Sequence, residues 1–186
     1  MNAIKFFVQG VRNFKEVGTF SRSSKFVGNT MTKDKYIPFE TAKCIVELGA
    51  GDGPITSLVL KKMRKDATLL CFEINEKFCE DLRKQFKDEP RIKIINDDAV
   101  RMGHYIKEAG YEYADAVLSE IPFVIIPEDD IIIEAAKNLR LGAKYIQLHY
   151  SKMAKKRYEA IFGNCDIDFV LGNVPPAFIH ISEKKA

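Results

Sequence analysis

The stretch Val46-Glu-Leu-Gly-Ala-Gly-Asp-Gly-Pro54 decides how the rest of the chain is read. Three glycines, at 49, 51 and 53, follow the apolar run that begins at Cys44 and precede a helical pattern. Glycine there permits positive φ and lets a ligand approach the backbone closely. Pro54 suits a first helical turn, where its missing N–H costs little. Such a loop belongs at the carboxyl ends of the strands of an open α/β sheet, where ligands bind at the switch in strand order. A dinucleotide fingerprint wants a further glycine where Pro54 stands, and a phosphate-binding P-loop would end in Gly-Lys-Ser/Thr, which is absent. Glu47 separates this loop from both. A carboxylate before the glycines would repel a pyrophosphate but suits a ligand bearing an ammonium group. Its plainer alternative is to cap loop amides.

Working outward, apolar runs alternate with helical patterns. Strands are expected at 44–49, 68–73, 92–95, 114–119 and 144–150, and helices over about 54–65, 76–86, 100–109, 131–139 and 152–162. This alternation implies a mostly parallel sheet covered on both faces. Two further strand-like runs, 166–171 and 177–181, are separated only by Gly172-Asn-Val-Pro-Pro176 and predict an antiparallel edge hairpin. One α/β domain is expected over 44–186, preceded by an N-terminal extension over 1–43.

Two more acids sit at strand ends beside the glycine loop. The second strand closes on Phe72-Glu73, and an acid there accepts hydrogen bonds from both hydroxyls of a ribose. The third runs into Asn96-Asp97-Asp98-Ala99, where an Asp can accept from an adenine amine while Ala99 offers a backbone N–H. Any one of these is commonly a solvated strand end; three at successive strands form a pattern.

With these residues assembled, the sequence resembles the class I S-adenosylmethionine-dependent methyltransferases over roughly residues 44–182. Glu47-Leu-Gly-Ala-Gly-Asp-Gly53 looks like their first motif, Glu73 like their ribose-binding acid and Asp98-Ala99 like their adenine-binding pair. The resemblance implies a Rossmann-like, seven-stranded sheet with S-adenosylmethionine laid across its middle. The cofactor set it implies is Glu47, Gly49, Ala50, Gly51, Gly53, Glu73, Ile74, Asp98, Ala99 and Ser119, with Phe20 and Ser24 closing over it. No metal is expected.

The acceptor is read from the remaining motifs. The fourth strand ends Ser119-Glu-Ile-Pro-Phe123. Enzymes that methylate base amines begin this site with Asn or Asp and stack the base on a Pro-aromatic pair; Pro122-Phe123 is kept, but Ser119 leads. The core otherwise resembles the rRNA adenine dimethyltransferases without their helical C-terminal domain. Phe14-Lys-Glu-Val-Gly-Thr-Phe-Ser-Arg-Ser-Ser-Lys-Phe26 is similar to the segment before the core in bacterial phospholipid N-methyltransferases. Ser119 through Pro122, Gln147-Leu-His-Tyr150 and Asn173-Val-Pro-Pro-Ala177 fit that pattern too. Departures are Arg22, where that family tends to have Pro, and Glu120, where small residues are common. The implied reaction is stepwise methylation of phosphatidylethanolamine toward phosphatidylcholine, with Ser119, Glu120 and Tyr150 as catalytic candidates. Phe20 and Phe123 are candidates for cation–π contact with the ammonium. An RNA or small-molecule methyltransferase and an inactive cofactor-binding module remain open.

The partner expectations rest on charge and periodicity. Residues 1–43 carry +5 and the remainder −2. Ile4, Phe7, Val8, Val11 and Phe14 form one helical face opposite Lys5, Gln9, Arg12 and Glu16. A helix of this kind either lies in an anionic membrane interface or packs over the sheet. Lys152, Lys155, Lys156 and Arg157 either extend a lipid-facing surface or form a solvated face. Cys44, Cys71, Cys79 and Cys165 form no CxxC pair and read as reduced thiols. No run reaches the roughly 18 apolar residues of a spanning helix, and no signal peptide is recognised. The expectation is a cytoplasmic protein, peripheral on the inner membrane face, monomeric or weakly oligomeric, with nucleic acid a less favoured partner.

Overall fold

A computed structural model of the chain describes residues 25–122, 129–171, 173 and 176–186. Helix α1 (Lys25–Met31) precedes β1 (Cys44–Leu48), α2 (Pro54–Lys62), β2 (Thr68–Phe72), α3 (Glu76–Gln85) and β3 (Ile92–Ile95). A 3-10 turn (Ala99–Arg101) leads into α4 (Met102–Glu108), then β4 (Ala114–Ser119), α5 (Asp129–Asn138) and β5 (Leu139–His149). Helix α6 (Lys155–Phe162) and strands β6 (Asp166–Val170) and β7 (Ala177–Glu183) complete the chain.

The seven strands form one sheet in the order β3-β2-β1-β4-β5-β7-β6. Strands β1 to β5 pair in parallel, while β7 runs antiparallel to both β5 and β6. The mostly parallel sheet and its antiparallel edge are as the alternation of elements predicted, and the seven strands form the Rossmann-like class I methyltransferase arrangement that the resemblance implied. The strand order reverses between β1 and β4, so the glycine loop after β1 and the turn after β4 open side by side. Their register is direct: Leu48 pairs with Phe72 on one side and with Ser119 on the other.

Burial on both faces explains why the central strands read as continuous apolar runs. Ile45, Cys71, Leu118, Ile146 and Ile179 join α1, α2 and the α3 residue Leu82 in one core. Val46, Leu70, Val117 and Tyr145 join α4, α5 and α6 in the other. Local caps set the helix starts. Asn75 accepts from the N–H groups of Lys77 and Phe78, and Gly53 enters α2 with φ 81°, directly before Pro54.

Beyond shifts of a few residues at element ends, two differences from the sequence reading bear on the packing. Strand β5 begins at Leu139 rather than 144, because Leu139 pairs with Ala114 ahead of a register shift and Arg140 is tied to Asp115 at 2.7 Å. Residues 25–43, assigned to an extension, pack with the domain: Val27, Met31 and Ile37 are fully buried in the first core. Gly28 makes this possible, since a Cβ there would stand 2.5 Å from Leu58 of α2. Lys62 donates to the Thr32 carbonyl at 2.6 Å, and Lys33, Lys35 and Tyr36 all engage Asp168 on β6. The amphipathic stretch 4–16 lies outside the described residues.

Candidate cofactor and acceptor site

The loop after β1 is anchored to β2. The N–H groups of Gly49 and Ala50 both donate to the Phe72 carbonyl, at 2.8 and 3.2 Å. Gly51, with φ +56°, donates to Glu73 Oε2 at 2.9 Å, while Glu73 Oε1 accepts from Asn75 N–H at 2.8 Å. Burial raises the Glu73 carboxyl above its ordinary range, opposed by the N–H groups of Asn75, Gly51 and Ile74. The loop glycines serve different ends. A Cβ on Gly51 would meet nothing within 4 Å, so the space above it is open. On Gly53 a Cβ would stand 2.8 Å from Leu82, so that glycine permits packing against α3. Gly49 faces the turn after β4, where a Cβ would lie 3.1 Å from Ile121.

Glu47 is 1% exposed, and neither of its oxygens has a hydrogen-bond partner. A buried carboxylate in that condition is costly and holds its proton instead. Burial first, and the field of Glu120 second, push it up to about 8, against weaker pulls from Thr56 and the Cys71 thiol. The same Glu120 field, after burial, raises the Tyr150 hydroxyl. Glu47, Glu120 and Tyr150 therefore share one electrostatic neighbourhood at the carboxyl ends of β1, β4 and β5. Glu120 donates its N–H to the Leu48 carbonyl at 2.9 Å, which locks the two loops together.

Ser119 does not face that neighbourhood. Strand alternation puts it with Val117 on the α4–α6 side, fully buried, where its Oγ accepts from Ile121 N–H at 3.3 Å. Asp98 caps the 3-10 turn through Val100 N–H at 3.0 Å, with Ala99 buried behind it. Ile74 is half-buried between Glu73 and the α3 cap. Phe20, Ser24 and Phe123 lie outside the described residues.

Three residues that the sequence reading quoted only as parts of motifs take supporting roles in the structure. Asn96 Nδ2 donates to the carbonyls of Glu73 and Ile74, fastening the end of β2 to the end of β3. Gln147, fully buried, donates to the Ile121 carbonyl at 2.9 Å and accepts from Tyr145 at 2.7 Å, holding the turn after β4. Asp97 takes the Tyr105 hydroxyl at 2.7 Å and pairs with Arg101. Only their position beside the strand ends could have signalled these roles. His149 is set apart: burial, with the fields of His180 and Arg157, pushes it down to about 3, and its Nε2 lies 2.7 Å from the Tyr158 hydroxyl.

A family model described as ribosomal RNA adenine dimethylase matches residues 23–157. The chain belongs to this family. It is an S-adenosylmethionine-dependent methyltransferase. Within the wider group, an ornithine lipid N-methyltransferase of Singulisphaera acidiphila is 27% identical over 177 residues, covering 93% of this chain and 89% of that protein. An rRNA methyltransferase of Streptomyces thermotolerans is 24% identical over 130 residues, which cover 68% of this chain and 40% of that protein. In fold, the family member resembles the O-methyltransferase TomG of Streptomyces achromogenes, solved with S-adenosylmethionine. That likeness has a TM-score of 0.75 at 13% identity, over 97% of this chain and 90% of that one.

The residues present fit that cofactor. An unpartnered buried acid at Glu47 suits an ammonium, and open space lies over Gly51 beside the Glu73 carboxylate. Among the described residues, no cluster of His, Cys, Asp and Glu could hold a metal ion, and no helix is long and apolar enough to cross a membrane.

Proposed function

We propose that this methyltransferase methylates the primary amine of a membrane lipid headgroup. Phosphatidylethanolamine is the first acceptor, converted stepwise toward phosphatidylcholine, and an ornithine lipid is the second. The observation that carries this reading is the placement of Glu120 and Tyr150, at the ends of β4 and β5, in the electrostatic neighbourhood of Glu47 beside the cofactor loop. With Glu47 given to the cofactor's ammonium, Glu120 and the Tyr150 hydroxyl make an environment for a second, acceptor amine. Ser119, buried and turned to the opposite face, offers no counterpart to the amide or acid that accepts from a base amine.

When bound, S-adenosylmethionine supplies an electrophilic methyl group. Transfer of that methyl to an amine would leave the electron pair of the carbon–sulfur bond on sulfur. The nitrogen must first lose a proton, and Glu120, half-buried after β4, is the acid assigned to take it, with Tyr150 orienting the headgroup. Glu47 would hold the cofactor's ammonium, Glu73 the ribose hydroxyls, and Asp98 with Ala99 the adenine. Holding amine and methyl in line supplies much of the acceleration. Phe20 and Ser24 are the residues proposed to cover the cofactor, and Phe20 and Phe123 those proposed for cation–π contact with the ammonium.

The extent of the match to the ornithine lipid enzyme supports a lipid acceptor and is compatible with the proposed peripheral position on the cytoplasmic face of the membrane. RNA adenine methylation is the second reading, favoured by the family description and by Pro122. Incubation with methyl-labelled cofactor, total lipid and total RNA separates the two. Label is expected in the aminolipid fraction; label in RNA alone, or in neither, contradicts the proposal.

A further inference from the structure

Among the described residues, eight large apolar side chains stand exposed, and five gather at one edge of the molecule. Met153 is 91% exposed and Leu171 77%, with Phe26 at 57%, Phe169 at 49% and Tyr150 at 39%. The topology explains the gathering. Strand β6 is antiparallel to β7, which is antiparallel to β5, so β5 and β6 end at the same edge as β1 and β4. Leu171 follows β6, and Met153 follows β5. Helix α1 runs alongside α2, with Gly28 against Ile55 and Leu58 and Thr32 near Lys62, which leaves Phe26 at the same edge.

The apolar surface is continuous with a cationic one. Lys152 lies over the Phe178 ring at 5.4 Å, and Phe178 packs on Phe169 at 5.2 Å. Lys155 and Lys156 open α6 beside them. Among the described residues, the acids along this edge include Glu159, which pairs with Lys155 at 3.4 Å, Asp129, which pairs with Arg157, its neighbour Asp130, Asp168 on β6, which is held by Lys33, Lys35 and Tyr36, and Glu120 within the site. Exposed apolar residues flanked by lysine, at the edge where β4 and β5 end, match the chemistry of an anionic bilayer interface.

We propose that Met153, Phe169 and Leu171, flanked by Lys152, Lys155 and Lys156, form the surface by which this protein docks on an anionic bilayer, setting the ends of β4 and β5 at headgroup depth. This rests on the lipid reading above for its biological partner, and it adds a surface in the body of the fold to the expected N-terminal one.

The test is flotation of the full chain with phosphatidylcholine vesicles, with and without phosphatidylglycerol, alongside methylation of a short-chain phosphatidylethanolamine dispersed as monomers. The chain should float only with the anionic vesicles. At low salt, K152Q/K155Q/K156Q should reduce partition roughly 100-fold, at about fivefold per lysine. M153S/L171S should reduce it about tenfold or more. Both variants should methylate the dispersed lipid at the rate of the parent. Absence of binding by the parent, or equal binding by all three proteins, overturns the proposal. So does a concentration-dependent dimer that M153S/L171S abolishes without changing flotation, which assigns the face to a second copy. Loss of RNA binding but not vesicle binding in the lysine variant overturns it likewise. If no dispersed lipid is labelled while flotation follows the predicted order, the docking surface stands and the acceptor reading falls.

Discussion

Replacing Glu47 by Gln should make the cofactor-free protein more stable at neutral pH while weakening its hold on the cofactor. The carboxyl is pushed up from 4.5 to about 8 by burial and by Glu120. Below pH 4.5 both folded and unfolded chains keep the proton, and the group contributes nothing to the pH dependence. Between 4.5 and 8 the unfolded chain releases it while the folded protein retains it, so stability falls as pH rises. Above 8 both forms are ionised and the deficit is constant. At about 1.4 kcal/mol per pH unit, the deficit is about 3 kcal/mol at pH 7. E47Q cannot ionise, so this slope disappears whatever constant offset the amide introduces. Urea unfolding of both proteins at pH 5, 6, 7 and 8 measures the difference. The gap should widen in favour of E47Q by about 3 kcal/mol from pH 5 to 8, while titration with S-adenosylhomocysteine shows weaker binding by the variant. Parallel stability profiles would refute the reasoning, because they would mean that Glu47 is already ionised in the folded protein.

Three further outcomes are expected. Glu73→Ala strips the acceptor from the N–H groups of Gly51 and Asn75 and should weaken cofactor binding at least about tenfold by calorimetry, with a loss of about 1–3 kcal/mol in urea. Gly53→Ala meets both a φ of +81° and Leu82 at 2.8 Å, and should cost about 1–3 kcal/mol by the same unfolding assay. Burial would raise the Asp168 carboxyl, but Lys33, Tyr36 and Lys35 overcome it and hold the group at about 2, below its ordinary 3.8. Its contribution is therefore present above pH 3.8 and lost as pH falls through about 2. Because the pairs are partly exposed, Asp168→Asn should cost only about 1 kcal/mol at pH 7, with the difference closing in acid.

The parts of the fold legible in the sequence were those whose signal is local. Glycines 49, 51 and 53 announce their backbone, Pro54 announces a helix start, and the runs around Ile45, Leu70 and Val117 are apolar because both faces of the sheet are covered. The edge hairpin was legible because the connection is too short for a crossover. Non-local packing was not legible. Lys25–Met31 is a short helix with a central glycine and no strong apolar period. What makes it part of the domain is the fit of Gly28 against Leu58, thirty positions away. The start of β5 was hidden for a similar reason: Leu139 continues the apolar period of α5 along the chain, and only its pairing with Ala114 makes it strand. In the site, strand ends named Glu47, Glu73 and Glu120. The face each side chain takes needed the sheet register, which turns Ser119 away from Glu120 and leaves Gln147 to brace the turn after β4.

The most direct test of the account is a crystal structure with S-adenosylhomocysteine bound. The ribose hydroxyls are predicted on Glu73, the adenine against Asp98 and Ala99, and the ammonium at Glu47, directly or through one water. A nucleoside bound elsewhere, with Glu47 still unpartnered and the loop at 49–53 empty, would contradict it.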